Sequence, residues 1–585
     1  MNKEMRDKME AAFAAAGKEV PKKQEAKEVS EAPKAEARRS KSKEPKRAKR
    51  QRREYPPEVK KCAIQQSLAS LSVYHKGEKK SADFEKEQAP LIRAKANVRF
   101  KPNNDFTAQS ASTGRRFLKE GAVDSQFSGP KMGEIELIIG LDLGTSNTKV
   151  VIGDPASRRF FAVPFDFDSS NPYLVPTILG VDEYGDTIVG LKSGYKRHQS
   201  LKLKLMQEES SAGLISTLCQ HLTAFIGHVL RYSIRWFMKE HKDAYGDMSL
   251  LWRLSIGAPA AKLKLKKLKF VFEKFAIAGC QLALSDKSTI SVKDAERFFQ
   301  SVTADKAAIY SGQQRYSKFL ALGSDEGVVV VVPEIAAQVV GFYRSRQWDP
   351  SYPFTFVLDV GAGTVDAAVF SLVSPSFSEN DLKFCAFSCA VEELGMVNLH
   401  LRRIKFLEDY LPEDAVDKSE IRAYLRELES SLFSNLRIPA SVSEYINNVE
   451  IRSDTRLNVD KKFQSDLSRK IYDPVLVGAL QKSQGDSGWK NLRTIICGGG
   501  GRSPSYKKFV ENVARHSKIK AIITQMSKPS GLQAPGLPAD EFDRISVAYG
   551  LAQGTYWEFE WPEDIDESKV NASDYTERFV SKDMM

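Results

Sequence analysis

The stretch "IIGLDLGTSNTKVVIGD", residues 138–154, decides how the rest of the chain is read. It begins as an apolar run of the kind that forms a buried strand. Its glycines and hydroxyls have the spacing of a phosphate-binding loop, yet the Gly-Lys pair of a Walker loop is missing. After the "TSN" turn comes "TKVVIGD", β-branched and strand-like, rather than a helix whose N-terminus would hold a phosphate. The stretch therefore predicts strand, turn, strand. Such a turn can present successive backbone N–H groups to an anion where no Cβ blocks the approach.

The same pattern returns in "FTFVLDVGAGTVDAAVFSLV", residues 354–373. Leu141-Asp142-Leu143-Gly144-Thr145 matches Leu358-Asp359-Val360-Gly361-Ala362 at an offset of 217 residues. That is far beyond a solenoid period and points to a duplicated domain. Gly144, Gly361 and Gly363 let the backbone approach an oxygen. Thr145, Ser146 and Thr364 add hydroxyl donors, and Asn147 and Ala362 complete the two turns. Two such hairpins facing each other across a cleft would clamp a polyphosphate from both sides. Asp142 and Asp359 end their strands directly before the turns. One aspartate alone reads as a turn cap. A matched pair points to a hydrated Mg²⁺, which binds through one or two carboxylates plus phosphate oxygens. Asp366, just past the second turn, is the carboxylate placed to orient or deprotonate an attacking water.

A third element is "IICGGGGRSPSYKK", residues 495–508, a strand, a glycine run and a helix. Ser503 suits an N-cap and Pro504 a first helical residue. Gly498, Gly499 and Gly500 are expected to lie flat against a base or ribose, with Arg502 stacking on it or hydrogen-bonding to it.

In their order, "GLDLGTSNTK", "LDVGAGTVDAAV", "CGGGGRSPSY" and the later "VAYGLAQG" resemble the ATPase domain of DnaK-type heat-shock chaperones. These belong to the actin, sugar-kinase and heat-shock ATPase superfamily. The resemblance covers residues 134–556. It implies an α/β, two-lobed actin-like fold, each lobe a ribonuclease-H-like mixed sheet with flanking helices, holding ATP and Mg²⁺ between the lobes. Lobe I would span 134–345, and lobe II with its closing helix 346–556. The family's lysine near the γ-phosphate corresponds to Lys202 or Lys204 in "SLKLKLM", with Lys204 preferred. Glu334 in "PEIAAQ" matches the family's connecting segment loosely and stands as the next candidate for the base after Asp366. The chaperones continue into a β-rich substrate-binding domain. Here 29 residues come after Tyr556, so the expectation is an ATP-hydrolysing switch or partner-binding module without ordinary client refolding. Two other readings stay open. One is a small-molecule kinase of the sugar type. The other is a non-catalytic nucleotide-binding scaffold whose basic arm binds nucleic acid.

Charge sets the arm apart. Residues 1–133 hold 32 of the 87 Lys and Arg but only 18 of the 75 Asp and Glu. Few aliphatics accompany them, so this arm is expected to be largely disordered, with order starting at Glu134. Its densest part, "RRSKSKEPKRAKRQRR" at 38–53, has ten bases and one acid. That composition suits a nucleic acid or an acidic protein surface. Residues 557–585, with nine acids against three bases, read as a loosely ordered acidic tail. Six cysteines without CxxC spacing predict a reduced compartment, cytoplasmic or, in a eukaryote, nuclear. No signal peptide or bilayer-spanning run is expected.

Overall fold

In the computed structural model the described residues are 92–94, 101–103, 115–167, 171–207, 212–259, 266–303, 328–345, 349, 351–373, 383–410, 418–430, 438–451, 457–483, 487–517, 519–554 and 558–560. All of them lie in one compact unit, residues 61–585. The basic stretch 38–53 lies outside the described residues.

Two large sheets are built on the same plan. In the first, β4 (Gly133–Asp142), β5 (Asn147–Asp154) and β6 (Arg159–Ala162) form an antiparallel meander. On the other side of β4 run β11 (Met248–Ala258) and β12 (Val328–Pro333), both parallel to it. In the second, β13 (Thr355–Val360), β14 (Val365–Val373) and β15 (Lys383–Glu392) form the meander. There β18 (Asn491–Cys497) and β19 (Lys520–Thr524) take the parallel positions. The orders β12-β11-β4-β5-β6 and β19-β18-β13-β14-β15 correspond strand for strand. The duplication read from Asp142 and Asp359 thus extends through five strands of each sheet. The fold is mixed α/β, with helices packed on several sheets.

After β19 the chain leaves the second sheet. It pairs β20 (Leu532–Gln533) with β6 of the first, then returns as β21 (Glu558–Glu560) beside β15. Between these two strands lies the helix Ser546–Leu551, which packs on β4, β5, β11 and the helix Glu334–Arg344. Glycine makes the approach close enough. A Cβ on Gly140 or Gly550 would overlap the carbonyl of Ala548 or Ala337 respectively. One apolar cluster joins Val151 and Phe160 of the first sheet, Val357 and Ala368 of the second, and Ile335, Val339, Ala548 and Tyr549 of these helices. Of the acidic tail, the described residues are those of β21.

Each sheet carries an insertion after its third strand. The first, 163–247, contributes β8 (Ile178–Val181), β9 (Thr187–Gly190) and β10 (Lys196–Gln199), then α1 (Leu201–Gln207) and α2 (Ala212–Glu240). The second, 393–490, contributes α3 (Met396–Tyr410), α4 (Lys418–Ser430), β16 (Ile446–Asn447) and β17 (Val449–Ile451).

Order does not start at Glu134. β1 (Ile92–Ala94) pairs with β17, β2 (Lys101–Pro102) with β16, and β3 (Phe117–Leu118) with β9. Residues 115–133 are held by partners far along the chain. Gln126 exchanges hydrogen bonds with the Leu250 backbone, its Oε1 accepting from the N–H at 2.9 Å, and Trp252 Nε1 donates to Ser125 O at 2.8 Å. Composition missed this because the segment borrows its core from other elements. Among the described residues, no helix is long and apolar enough to cross a membrane.

Candidate functional site

The first hairpin buries Leu137–Asp142 at the end of β4, so the Asp142 carboxyl is held in the interior. Asp142 and Lys149 are cross-strand partners, and Lys149 Nζ lies 2.8 Å from Asp142 Oδ2. The far side of this turn is occupied: Ser146 O accepts from Thr177 N at 2.8 Å, and Asn147 pairs with Pro176.

The second hairpin is closed by Gly361 N donating to Thr364 O at 2.9 Å. Behind it stands the start of α3. Met396 N donates to Gly361 O at 3.2 Å, Val397 N to Ala362 O at 2.8 Å, and Asn398 Nδ2 to Gly363 O at 2.7 Å. In a trans peptide the C=O and the next N–H point opposite ways. With three successive carbonyls committed to α3, the N–H groups of Ala362, Gly363 and Thr364 are turned away from it. That is the backbone arrangement of an anion nest.

The two turns meet. A Cβ on Gly363 would stand 3.1 Å from Thr145 Oγ1 and 3.3 Å from a methyl of Leu203, the residue after Lys202 on α1. The glycine run docks on the same hairpin. Gly500 N donates to Val360 O at 2.9 Å, and Gly498, at φ +76°, leaves no room for a Cβ beside Asp359 Oδ1. Pro504 begins the helix Pro504–Ser517 as expected, with Ser503 O accepting from Tyr506 N at 3.2 Å.

Lys202, not the preferred Lys204, is the lysine brought to this place. The Lys202 ammonium forms a buried ion pair with Glu334, the first residue of the helix Glu334–Arg344, and Asp142 and Asp366 also act on its charge. Lys204 is exposed on another face of α1, where its charge reaches His198 and His221 instead. A helix advances about 100° per residue, so residues two apart point apart. The sequence alone could not phase a helix of seven residues.

Charge is unbalanced at the meeting point. Asp142, Glu334, Asp359 and Asp366 face the ammonium groups of Lys149 and Lys202. Burial, then Asp142 and Glu334, push the Asp359 carboxyl up to about 7. Burial, then Glu334 and Asp359, hold Asp366 well above the carboxylate range, and its Oδ1 is buried without a hydrogen-bond partner. Burial also raises Glu334, partly opposed by Lys202. Burial works against the Lys202 charge, yet Glu334 and Asp142 hold its pKa above the ordinary lysine value.

Among the described residues, no group of three or more His, Cys, Asp or Glu is arranged to hold a metal directly. A dehydrated, all-protein cation cage therefore does not fit. A hydrated divalent cation does fit, because it needs only one or two carboxylates besides phosphate oxygens. The carboxyls of Asp359 and Asp366, whose ionisation is held back by burial and by neighbouring acids, and the orphaned Asp366 oxygen are groups whose charged form such an ion would stabilise.

Arg502 is already engaged. It pairs with Glu541 at 2.8 Å and Asp543 at 3.0 Å, and Glu541 in turn accepts from Asn171 Nδ2 at 2.5 Å. The guanidinium therefore ties the glycine run to the turn 539–544 rather than standing free. Arg544 Nε is the nearest group to a Cβ on Gly499, at 3.8 Å. Sequence reasoning missed Lys149 and Arg544. Lys149 was within reach, since residues seven apart around a short hairpin turn oppose each other on one face.

No protein-family model matches the chain. No curated protein matches it in sequence.

Proposed function

We propose that this chain is an ATP-binding, slowly hydrolysing ATPase of the actin and heat-shock type, with two lobes built on the two sheets, acting as a nucleotide-dependent switch. The observation that carries this reading is the contact of Gly363 with Thr145, two turns at matching positions of two sheets with the same strand order.

In this reading the phosphates lie between the turns. The N–H groups of Ala362, Gly363 and Thr364 and the hydroxyls of Thr145 and Thr364 donate to their oxygens. Lys149 and Lys202 supply positive charge from the first lobe. Mg²⁺, when bound, would neutralise phosphate charge beside Asp142 and Asp359. Glu334, held by Lys202, positions that lysine and leaves the proton-accepting role to Asp366. The unpartnered Asp366 Oδ1 is the atom free to orient a water. Gly498–Gly500 form the surface against which the nucleoside lies, with Arg502 and Arg544 at its border.

Calorimetric titration of the full chain with ATP and Mg²⁺ tests this. Asp142→Ala and Gly361→Val should each weaken binding by about tenfold or more, with the circular dichroism of the parent retained. Undiminished affinity in both folded variants rules the reading out.

A further inference from the structure

Glu541, in the turn 539–544, is held from both sides. On one side its Oε1 accepts from Nη1 of Arg502, next to the glycine run, at 2.8 Å. On the other its Oε2 accepts from Asn171 Nδ2 at 2.5 Å, and Arg544 Nη1 approaches the same oxygen at 3.4 Å. Asn171 is fully buried, and its own Oδ1 accepts from Tyr173 N at 3.1 Å. The Tyr173 hydroxyl donates to Pro535 O at 2.5 Å.

From Asn171 the chain runs to the back of the first turn. There β7 (Val175–Pro176) pairs antiparallel with β5, Pro176 opposite Asn147 and Val175 opposite Thr148. Thr177 N donates to Ser146 O, and the buried Thr177 and Thr148 hydroxyls share a hydrogen bond at 2.9 Å. A continuous series of bonds and chain thus joins Arg502, Glu541, Asn171 and Ser146. It starts at the glycine run on the second sheet and ends at the first turn, on the other sheet. We propose that Glu541 couples these two places, so that a nucleoside on the glycine run and phosphates at the first turn bind cooperatively. The cooperativity rests on the nucleotide reading of the site, whereas the link through Glu541 does not.

The chemistry of the link supports it. A carboxylate is acceptor-only with two oxygens, so it can serve donors on opposite sides at once, which an amide in its place cannot. The bond to Arg502 is charge-assisted and therefore among the stronger kind. The Glu541 side chain is only 15% exposed, which limits competition from water. Arg502 is also held by Asp543 at 3.0 Å, and Asn171 uses both ends of its amide. Neither neighbour of Glu541 can absorb a displacement by rotating freely, so movement at one end is passed to the other.

The test uses the full chain, Asn171→Ala and Glu541→Gln, with adenosine and Mg²⁺ plus inorganic triphosphate as separate probes in calorimetric titrations. In the parent, saturation with one probe should raise affinity for the other about fivefold or more, by the same factor in either order. In both variants the factor should fall to about one. A factor of about one in the parent, or the parental factor in the folded variants, overturns the coupling. Glu541→Gln carries the test by itself if the buried Asn171→Ala does not fold. Amide hydrogen exchange without ligand reads the link independently. Glu541→Gln should quicken exchange of the Tyr173 and Thr177 N–H groups about threefold or more. Unchanged exchange overturns the link. If exchange quickens but neither probe binds the parent, the link stands and the nucleotide reading of the site falls.

Discussion

Asp359 and Asp366 stand directly opposite each other on the antiparallel strands β13 and β14. Like charges in direct cross-strand register are destabilising, and here, after burial and Glu334, Asp359 raises the proton affinity of Asp366. The second hairpin thus spends stability to hold two carboxyls together. Strongly perturbed carboxyls of this kind cluster at functional sites.

Asp366→Asn separates the two roles. Hydrolysis should fall to background while ATP affinity stays within about threefold of the parent, since the amide keeps the shape but not the basicity. The nucleotide-free variant should also melt higher at alkaline pH, by about 2 °C, because the amide cannot ionise beside Asp359. Phosphate release and differential scanning fluorimetry check both. Hydrolysis at the parental rate would relocate the base.

The pH dependence comes from the sign of the shift. Asp359 has a folded pKa raised from 3.8 to about 7. The folded state therefore binds the proton more tightly than the unfolded state. Its contribution is fully present below about pH 4 and is lost as pH rises through 7. Asp359→Asn should flatten this part of the stability curve by on the order of 2 kcal/mol, less than the full linkage value because the carboxyl keeps some solvent contact. Urea midpoints at pH 5 and pH 8 measure it. Parallel curves for parent and variant would refute the shift.

Lys202 and Lys204 should behave oppositely. Lys202→Met strands the Glu334 carboxylate in the interior and should cost about 3–5 kcal/mol. Lys204→Ala removes an exposed charge and should stay within about 0.5 kcal/mol of the parent. The double variant Lys202→Met/Glu334→Gln should recover part of the loss, a coupling that denaturant titration reads directly.

Glycine 498 is constrained twice, and Gly185 gives the comparison. Both have positive φ, but only Gly498 has the Asp359 carboxylate where a Cβ would go. Gly185→Ala should cost about 1 kcal/mol in backbone strain alone. Gly498→Ala should cost at least about 2 kcal/mol more and weaken ATP binding. Equal losses in thermal denaturation would show that the glycine run is not pressed on the second hairpin.

Local patterning carried the strands, the hairpins and the helix start at Pro504, because each is dictated by residues adjacent in the chain. The pairing of Asp142 with Asp359 could be read because a duplication leaves the same short sequence twice. Tertiary structure alone decided the rest. Lys202 rather than Lys204 enters the site because the partner that selects it, Glu334, lies 132 residues away. Arg502 is claimed by Glu541 and Asp543, which no periodicity connects to it. Residues 115–133 lack a core of their own and are ordered by Trp252, Arg231 and Leu250. A sequence specifies which groups are present and their local geometry. Which of them meet is settled by burial summed over the whole chain, and that sum exists only once the sheets have packed.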